Sequence, residues 1–315
     1  MPKRKDATFI GNLDPFHSIV PYVMPKRTES EVSITENFDI TELNKFISRY
    51  NENAESKLKL FHCVCYAVAR TIYHRPKMNI FIAGRRYWQR KKITLSFVAK
   101  QKFEDQAEEI LMCMECKPEM NITDVSRIIN GDVKKARSKG KNDLTGTMDF
   151  VGKLPRPILT FLFWVLSRLE YHGIMPDSLT KGDPNYSSVL LSNLGSIGAG
   201  APYHHLSNYG TCSIMATIGT AYTDPQTKRE YLPTTIILDE RIADGFYFVK
   251  SLKLIHHIFK NPDLLLEEIE REIDFDVDAK PVKKETKSTK KTTKSTKKVE
   301  KTTKKTTKTT KKTSK

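Results

Sequence analysis

Two short runs in the last third of the chain hold residues fit for chemistry. Asp239-Glu240-Arg241-Ile242-Ala243-Asp244-Gly245 sets three acids and one guanidinium ahead of an amphipathic stretch. Glu240 is a candidate proton acceptor. Asp244, before glycine and a helical pattern, suits a helix cap, and Arg241 and Asp244 also read as ordinary turn charges. In Leu190-Leu191-Ser192-Asn193-Leu194-Gly195 an apolar run ends on a hydroxyl and an amide. Ser192 can donate a hydrogen bond to an oxyanion or simply turn the chain at a strand end, and Asn193 is a candidate substrate contact. The imidazoles of His204 and His205 follow in a loop. They are candidate bases and substrate contacts, although adjacent residues point different ways and a solvated loop pair accounts for them equally.

Two other clusters carry less. Cys113-Met114-Glu115-Cys116 has the C-x-x-C spacing of redox and metal sites, but there is no second pair and a structural zinc needs four ligands. No metal site is expected. Arg85, Arg86, Trp88, Arg90, Lys91 and Lys92 mix cations with an aromatic ring. They suit a nucleotide or a phosphate, or a charged hairpin edge that discourages aggregation.

The positioning elements follow from periodicity. Residues 1–33 hold Pro15, Pro21 and Pro25 without a clear period and read as an extended arm. Asp39-Ile40-Thr41-Glu42 has the form of a capping box, followed by Leu43, Phe46, Ile47 and Tyr50 on one helical face. A second helix is predicted over 55–74, stopped by Arg75-Pro76. Residues 79–83 and 86–88 flank Gly84 as a hairpin, and 93–98 alternate as a half-buried strand. Helices are predicted over 105–116, 122–136 and 157–171, the last strongly apolar and read as buried, with a polar linker at 137–143. Strands at 188–192, 212–219 and 231–238 precede a helix at 246–259 and a short one from Asn261-Pro262-Asp263 to about Ile273. This order suggests a sheet covered by helices on one side.

Three segments in this order resemble the catalytic domain of the 2-oxoacid dehydrogenase acyltransferases and their relative chloramphenicol acetyltransferase. Asp239–Gly245 is similar to the family's Asp-His-Arg-x-x-Asp-Gly, Leu190–Gly195 to its Thr-x-Ser-Asn-Leu-Gly, and Phe38–Leu43 to its Val-Asp-Val-Thr-x-Leu. The likeness spans about Val20 to Ile273. It implies an α/β (α+β two-layer sandwich) fold, chloramphenicol acetyltransferase-like, with a mixed sheet and helices on one face. It further implies a homotrimer with active sites between subunits and coenzyme A or acyl-CoA as substrate. By motif, Ser192 would donate to the oxyanion, Arg241 and Asp244 would hold the site, and Glu240 stands where the family has its catalytic histidine.

That replacement governs how much activity to expect. A thiol titrating near about 8.5 needs a base matched to neutral pH, which histidine supplies and an ordinary glutamate near about 4.3 does not. Glu240 is then a structural residue in an inactive relative, a base whose pKa is raised, or a bystander to another base such as His204 or His205. The expectation is a coenzyme A-dependent acyltransferase-like protein, weakly active or inactive. The alternative is a non-catalytic scaffold or polyanion-binding protein. The lipoyl and subunit-binding domains that accompany such enzymes are not expected ahead of Asp39.

Bulk composition sorts the rest. The 315 residues are 38% hydrophobic, enough for one sizeable core. Of the net charge of +16, +14 falls in Lys280–Lys315, with 16 lysines against Glu285 and Glu300. The remainder is nearly neutral. That Lys/Thr-rich tail is expected to be disordered, and it suits nucleic acid or an acidic partner. Five sparse cysteines argue against a disulfide framework, and no signal peptide or membrane span is apparent, so a cytoplasmic location is expected. The organisation is an arm at 1–33, an acyltransferase-like domain at 34–275 and a tail at 276–315.

Overall fold

A computed structural model describes residues 3–100, 109–139 and 151–275. Of the linker read at 137–143, residues 137–139 are the end of a helix that runs to Lys139, and 140–143, like the tail from 276, lie outside the described residues. Met1–Asp278 form one unit and Ala279–Lys315 a second.

The framework is a mixed sheet in the order β2-β10-β8-β7-β5-β6. Its strands are β2 (Glu31–Asp39), β5 (Ile93–Lys100), β6 (Glu109–Cys116), β7 (Val189–Asn193), β8 (Ile214–Ile218) and β10 (Glu230–Asp239). β7 runs parallel to β5 and β8, and the remaining pairs are antiparallel. The two-residue strand β9 (Tyr222–Thr223) pairs with the start of β10. A second, three-stranded antiparallel sheet joins β1 (Ala7–Ile10), β4 (Arg86–Arg90) and β3 (Ile80–Ala83).

Side chains alternate across the large sheet, so one face can be apolar throughout. Leu95 and Phe97, Val189 and Leu191, Ile214, Ala216 and Ile218, and Ile236 and Leu238 form that face. Helices α2 (Thr41–Asn53), α3 (Leu60–His74), α4 (Ile122–Lys139) and α6 (Gly245–Lys260) supply its cover through Leu43, Phe46, Tyr66, Ile72, Val125, Ile129, Phe248 and Phe259. This is the α/β architecture expected from the sequence, with helices on one face.

Several expectations are corrected. The stretch ending at Cys116 is not helical. From Glu109 it is β6, held by eight register pairs to β5, with Met112, Met114 and Cys116 buried in a two-residue rhythm. Residues 105–108 lie outside the described set. Cys113 and Cys116 are an odd number of steps apart on a strand, so they face opposite ways and cannot share a ligand. Among the described residues no group of three or more His, Cys, Asp or Glu could hold a metal ion.

The arm is not extended throughout. Within 1–33 stand β1 and α1 (Pro15–Val23), where Asp14 caps and Pro15 takes the first position. Asp39 closes β2 rather than opening a helix. The N-cap of α2 is Ile40, without a side-chain cap, while Asp39 still accepts from Thr41 N–H at 3.1 Å. α3 starts at Leu60, five residues later than read, and beyond Asn261 there is a 3-10 turn, Pro262–Leu266.

The apolar helix α5 (Arg156–His172) has no buried residue; Phe161 and Trp164 are 65% and 60% exposed. It leans on the β3–β4 turn, where Gly84 and Arg85 both have positive φ. A Cβ on Gly84 would come within 2.1 Å of the Tyr171 carbonyl oxygen, so only glycine allows that approach.

Candidate active site

β10 ends in a bracket built from its own sequence. Asp239 is fully buried and Arg241 nearly so. Arg241 Nε and NH2 donate to the two Asp239 oxygens at 2.7 Å each, a bidentate pair. Ser30 Oγ adds a bond to Asp239 at 3.0 Å, and Arg241 NH1 reaches the Met24 carbonyl at 2.7 Å. Between these anchored residues Glu240 sits in a 3-10 turn with its side chain exposed. Its amide donates to the Ser30 carbonyl at 2.9 Å, and its carboxylate has no hydrogen bond or ion pair among the described residues. The local fold therefore fixes the backbone of position 240 and leaves the side chain free.

Four residues on, Asp244 caps α6 by accepting from Tyr247 N–H at 2.8 Å. That bond holds its carboxyl below the usual carboxylate range. Asp244 is thus a helix cap, as its place before glycine and a helical pattern suggests. Arg241 braces Asp239, and Asp244 takes no part in that pair.

Ser192 lies near the end of β7, opposite Thr217 on β8, which in turn faces Thr235 on β10 and, through it, Thr35 on β2. The four hydroxyls form a row across the sheet on the face away from the helices. Thr217 is fully buried, and its Oγ1 has no hydrogen-bond partner among the described residues. Thr235 Oγ1 donates to the Ala201 carbonyl at 2.8 Å, and Thr35 Oγ1 meets Tyr203 Oη at 2.9 Å. The row thus runs under the segment after the Asn193-Leu194-Gly195 turn. That turn is pressed against β8: Leu194 N–H donates to Ile218 O at 2.9 Å, and a Cβ on Gly195 would fall 2.3 Å from Gly219 O. His204 and His205 lie on this segment and are exposed, their ring centroids 5.2 Å apart. Asn193 is half-buried at the strand end.

The chain does not bring Ser192 and Glu240 together. Ser192 is level with Thr235, and Glu240 follows five residues further along the same strand direction. At about 3.3 Å per residue the two lie at opposite ends of the sheet, roughly 15 Å apart along the strands. Thr217 and Thr235 were not singled out from the sequence. The signal available was the alternation of threonine with isoleucine in β8 and β10, which becomes a row only once the register is known.

No protein-family model and no curated protein matches this sequence. Solved structures do match. A probable dihydrolipoamide acetyltransferase from Listeria monocytogenes superposes with a TM-score of 0.53 at 15% identity, over 81% of this chain and 95% of that one. The dihydrolipoamide acetyltransferase of Azotobacter vinelandii, studied for the role of a serine, a histidine and an asparagine in its catalytic mechanism, gives 0.54 at 17% over 82% and 94%. The truncated catalytic core of a 2-oxoacid dehydrogenase multienzyme complex from Thermoplasma acidophilum gives 0.53 at 13% over 81% and 100%. At these identities the likeness establishes the fold: this chain has the acyltransferase fold of those catalytic cores.

Proposed function

We propose that this chain, built on the fold of the dihydrolipoamide acetyltransferase cores, is a coenzyme A-dependent acyltransferase-like protein whose chemistry is weakened or lost at one position, Glu240. The supporting observation is the bracket of Asp239 and Arg241, which keeps the motif's frame while the central side chain differs. By motif, Ser192 and Glu240 take the places of the family's oxyanion-binding serine and catalytic histidine, and Asp244 that of the motif's second aspartate. Ser192 and Asn193 would meet the acyl carbonyl, and Glu240 would face the attacking thiol. His204 and His205 are the substitute bases to test next.

Because the two halves lie at opposite ends of one sheet, a complete site draws Ser192 from one copy and Glu240 from another. A homotrimer provides this. The exposed aromatic residues of α5, with Phe16 and Tyr22 of α1, supply apolar surface for such an assembly. Among the described residues no helix is long and apolar enough to cross a membrane. The Lys280–Lys315 tail supports a second reading, in which assembled copies hold nucleic acid or an acidic partner, to be tested by gel shift with and without residues 279–315.

The deciding experiment measures acyl transfer from acetyl-CoA to a dithiol with wild type, Glu240→His and Glu240→Gln. A restored base is worth roughly 100- to 10,000-fold. Glu240→His is expected to gain activity on that scale, while Glu240→Gln stays level with wild type. Silence from all three with every acyl-CoA tried would reject the transferase reading and leave the scaffold.

A further inference from the structure

An imidazole serves well as a base when a carboxylate holds one ring nitrogen and the other stays open. Among the described residues two histidines are hydrogen-bonded to a carboxylate, His17 to Asp14 and His256 to Glu36. His256 packs on Phe38 in the helix layer, away from the open face of the sheet. His204 and His205 meet one another, and no hydrogen bond orients either among the described residues. His17 is therefore the histidine whose setting suits proton transfer. It is half-buried in the first turn of α1. Its Nδ1 lies 2.5 Å from Asp14 Oδ2, and its backbone N–H donates to Asp14 Oδ1 at 3.1 Å. The amide bond first, and the ring bond after it, hold the Asp14 carboxyl below the usual carboxylate range. An ionised carboxylate only accepts, so Nδ1 carries the ring proton and Nε2 keeps its lone pair.

α1 also stands at the end of the sheet where the motif puts its base. The helix packs against the 3-10 turn that carries Glu240. Met24, which ends α1, is the residue whose carbonyl Arg241 holds. Nearer the start of α1, the ring of His17 meets Tyr87 edge-on, with centroids 6.3 Å apart. The Tyr87 hydroxyl is buried and has no hydrogen-bond partner among the described residues. Burial pushes its pKa up to about 12, and the charges of Asp239, Arg241 and Asp14 all act on it. One tyrosine thus stands between the bracket of Asp239 and Arg241 and the pair of Asp14 and His17.

We propose that His17, oriented by Asp14, is the general base of this chain and stands in for the histidine missing at position 240. The assignment rests on the acyltransferase reading and gives the weakened activity its source. Nε2 takes the proton of the attacking thiol as the sulfur bonds to the acyl carbonyl carbon. When the bond from that carbon to the coenzyme A sulfur breaks, the imidazolium returns the proton to the departing thiolate. Between the two transfers the Asp14 carboxylate stabilises the imidazolium. His17 and Glu240 belong to the same copy, so the base still meets the Ser192 of another.

The test measures acetyl transfer from acetyl-CoA to a dithiol by the full chain as wild type, His17→Gln, Glu240→His and the two changes combined. His17→Gln should lose roughly 100-fold or more of the wild-type rate. The combined variant should match Glu240→His, because a base at 240 makes His17 dispensable, whereas a merely structural role would lower both backgrounds alike. Asp14→Asn keeps a capping side chain and should lower kcat with KM unchanged. A rise in KM alone would remove Asp14 from the positioning role. Equal rates for wild type and His17→Gln, or the same loss in both backgrounds, would overturn the assignment. So would a silent wild type beside an active Glu240→His, a result that leaves the transferase reading standing. Silence from every variant would reject the transferase reading and His17 with it.

Discussion

The two faces of the large sheet are made by the same strands and differ in what they carry. Toward the helices, Leu191, Ala216 and Ile236 stand in line as uninterrupted hydrocarbon. One residue along, the same strands turn Ser192, Thr217 and Thr235 the other way. A strand of five residues thus does two jobs at once. The first face excludes water to hold the fold, and the second offers hydroxyls beneath a loop. The difference teaches that a period of two lets stability and chemistry be set by separate residues on one backbone.

The sharpest challenge to that division is Arg241, which lies beside the open face yet is buried with Asp239. Arg241→Met should cost about 3–5 kcal/mol, because it strands a buried carboxylate. Chemical denaturation would check it, and a loss under 1 kcal/mol would mean the bracket is not structural. On the helix face, Leu191→Ala should cost about 3 kcal/mol through lost burial and the cavity left behind. The same measurement reads it, and a much smaller loss would show that the core collapses around the gap.

A third expectation concerns charge within the helix layer. His62 is buried, accepts from Lys59 N–H and contacts Ser126 Oγ at 3.0 Å, and burial lowers its pKa from 6.5 to about 4. The unfolded chain therefore takes up this proton first as pH falls. The stability tied to His62 is complete above pH 6.5, declines between 6.5 and about 4, and is flat below. The full decline is up to about 3 kcal/mol. Subtracting the pH profile of His62→Gln from that of wild type isolates it, and parallel profiles would refute it. The smallest effect belongs to the hydroxyl row. Thr217→Val removes a buried hydroxyl without a partner, so stability should stay within about 1 kcal/mol or rise. A larger loss in thermal melting would reveal a bond that the hydroxyl makes.

What could be read from the sequence was local. The strands of the last third, the Gly84 hairpin and the α6 helix carry their own periodicity and turn residues, and the structure has them. β6 reads as a helix because its Leu, Met and Glu residues favour helix in isolation, while pairing with β5 decides its state. α5 was read as buried because apolarity says nothing about what is available to cover a helix. Prolines concealed α1, although Pro15 occupies the first helical position, where its missing N–H costs nothing. In the site, the positions of Glu240, Arg241 and Asp244 follow from their motif. The neighbours of Ser192 across three strands arise from residues far apart in the chain, and no local pattern announces them.

The distance between Ser192 and Glu240 within one chain bears on how any catalysis would behave. Neither residue can serve the other in the same polypeptide, so output per molecule would fall on dilution as copies separate. Two crippled versions, one lacking the serine hydroxyl and one altered at position 240, would rescue each other when mixed. A fraction of their joint assemblies would unite the intact half of each.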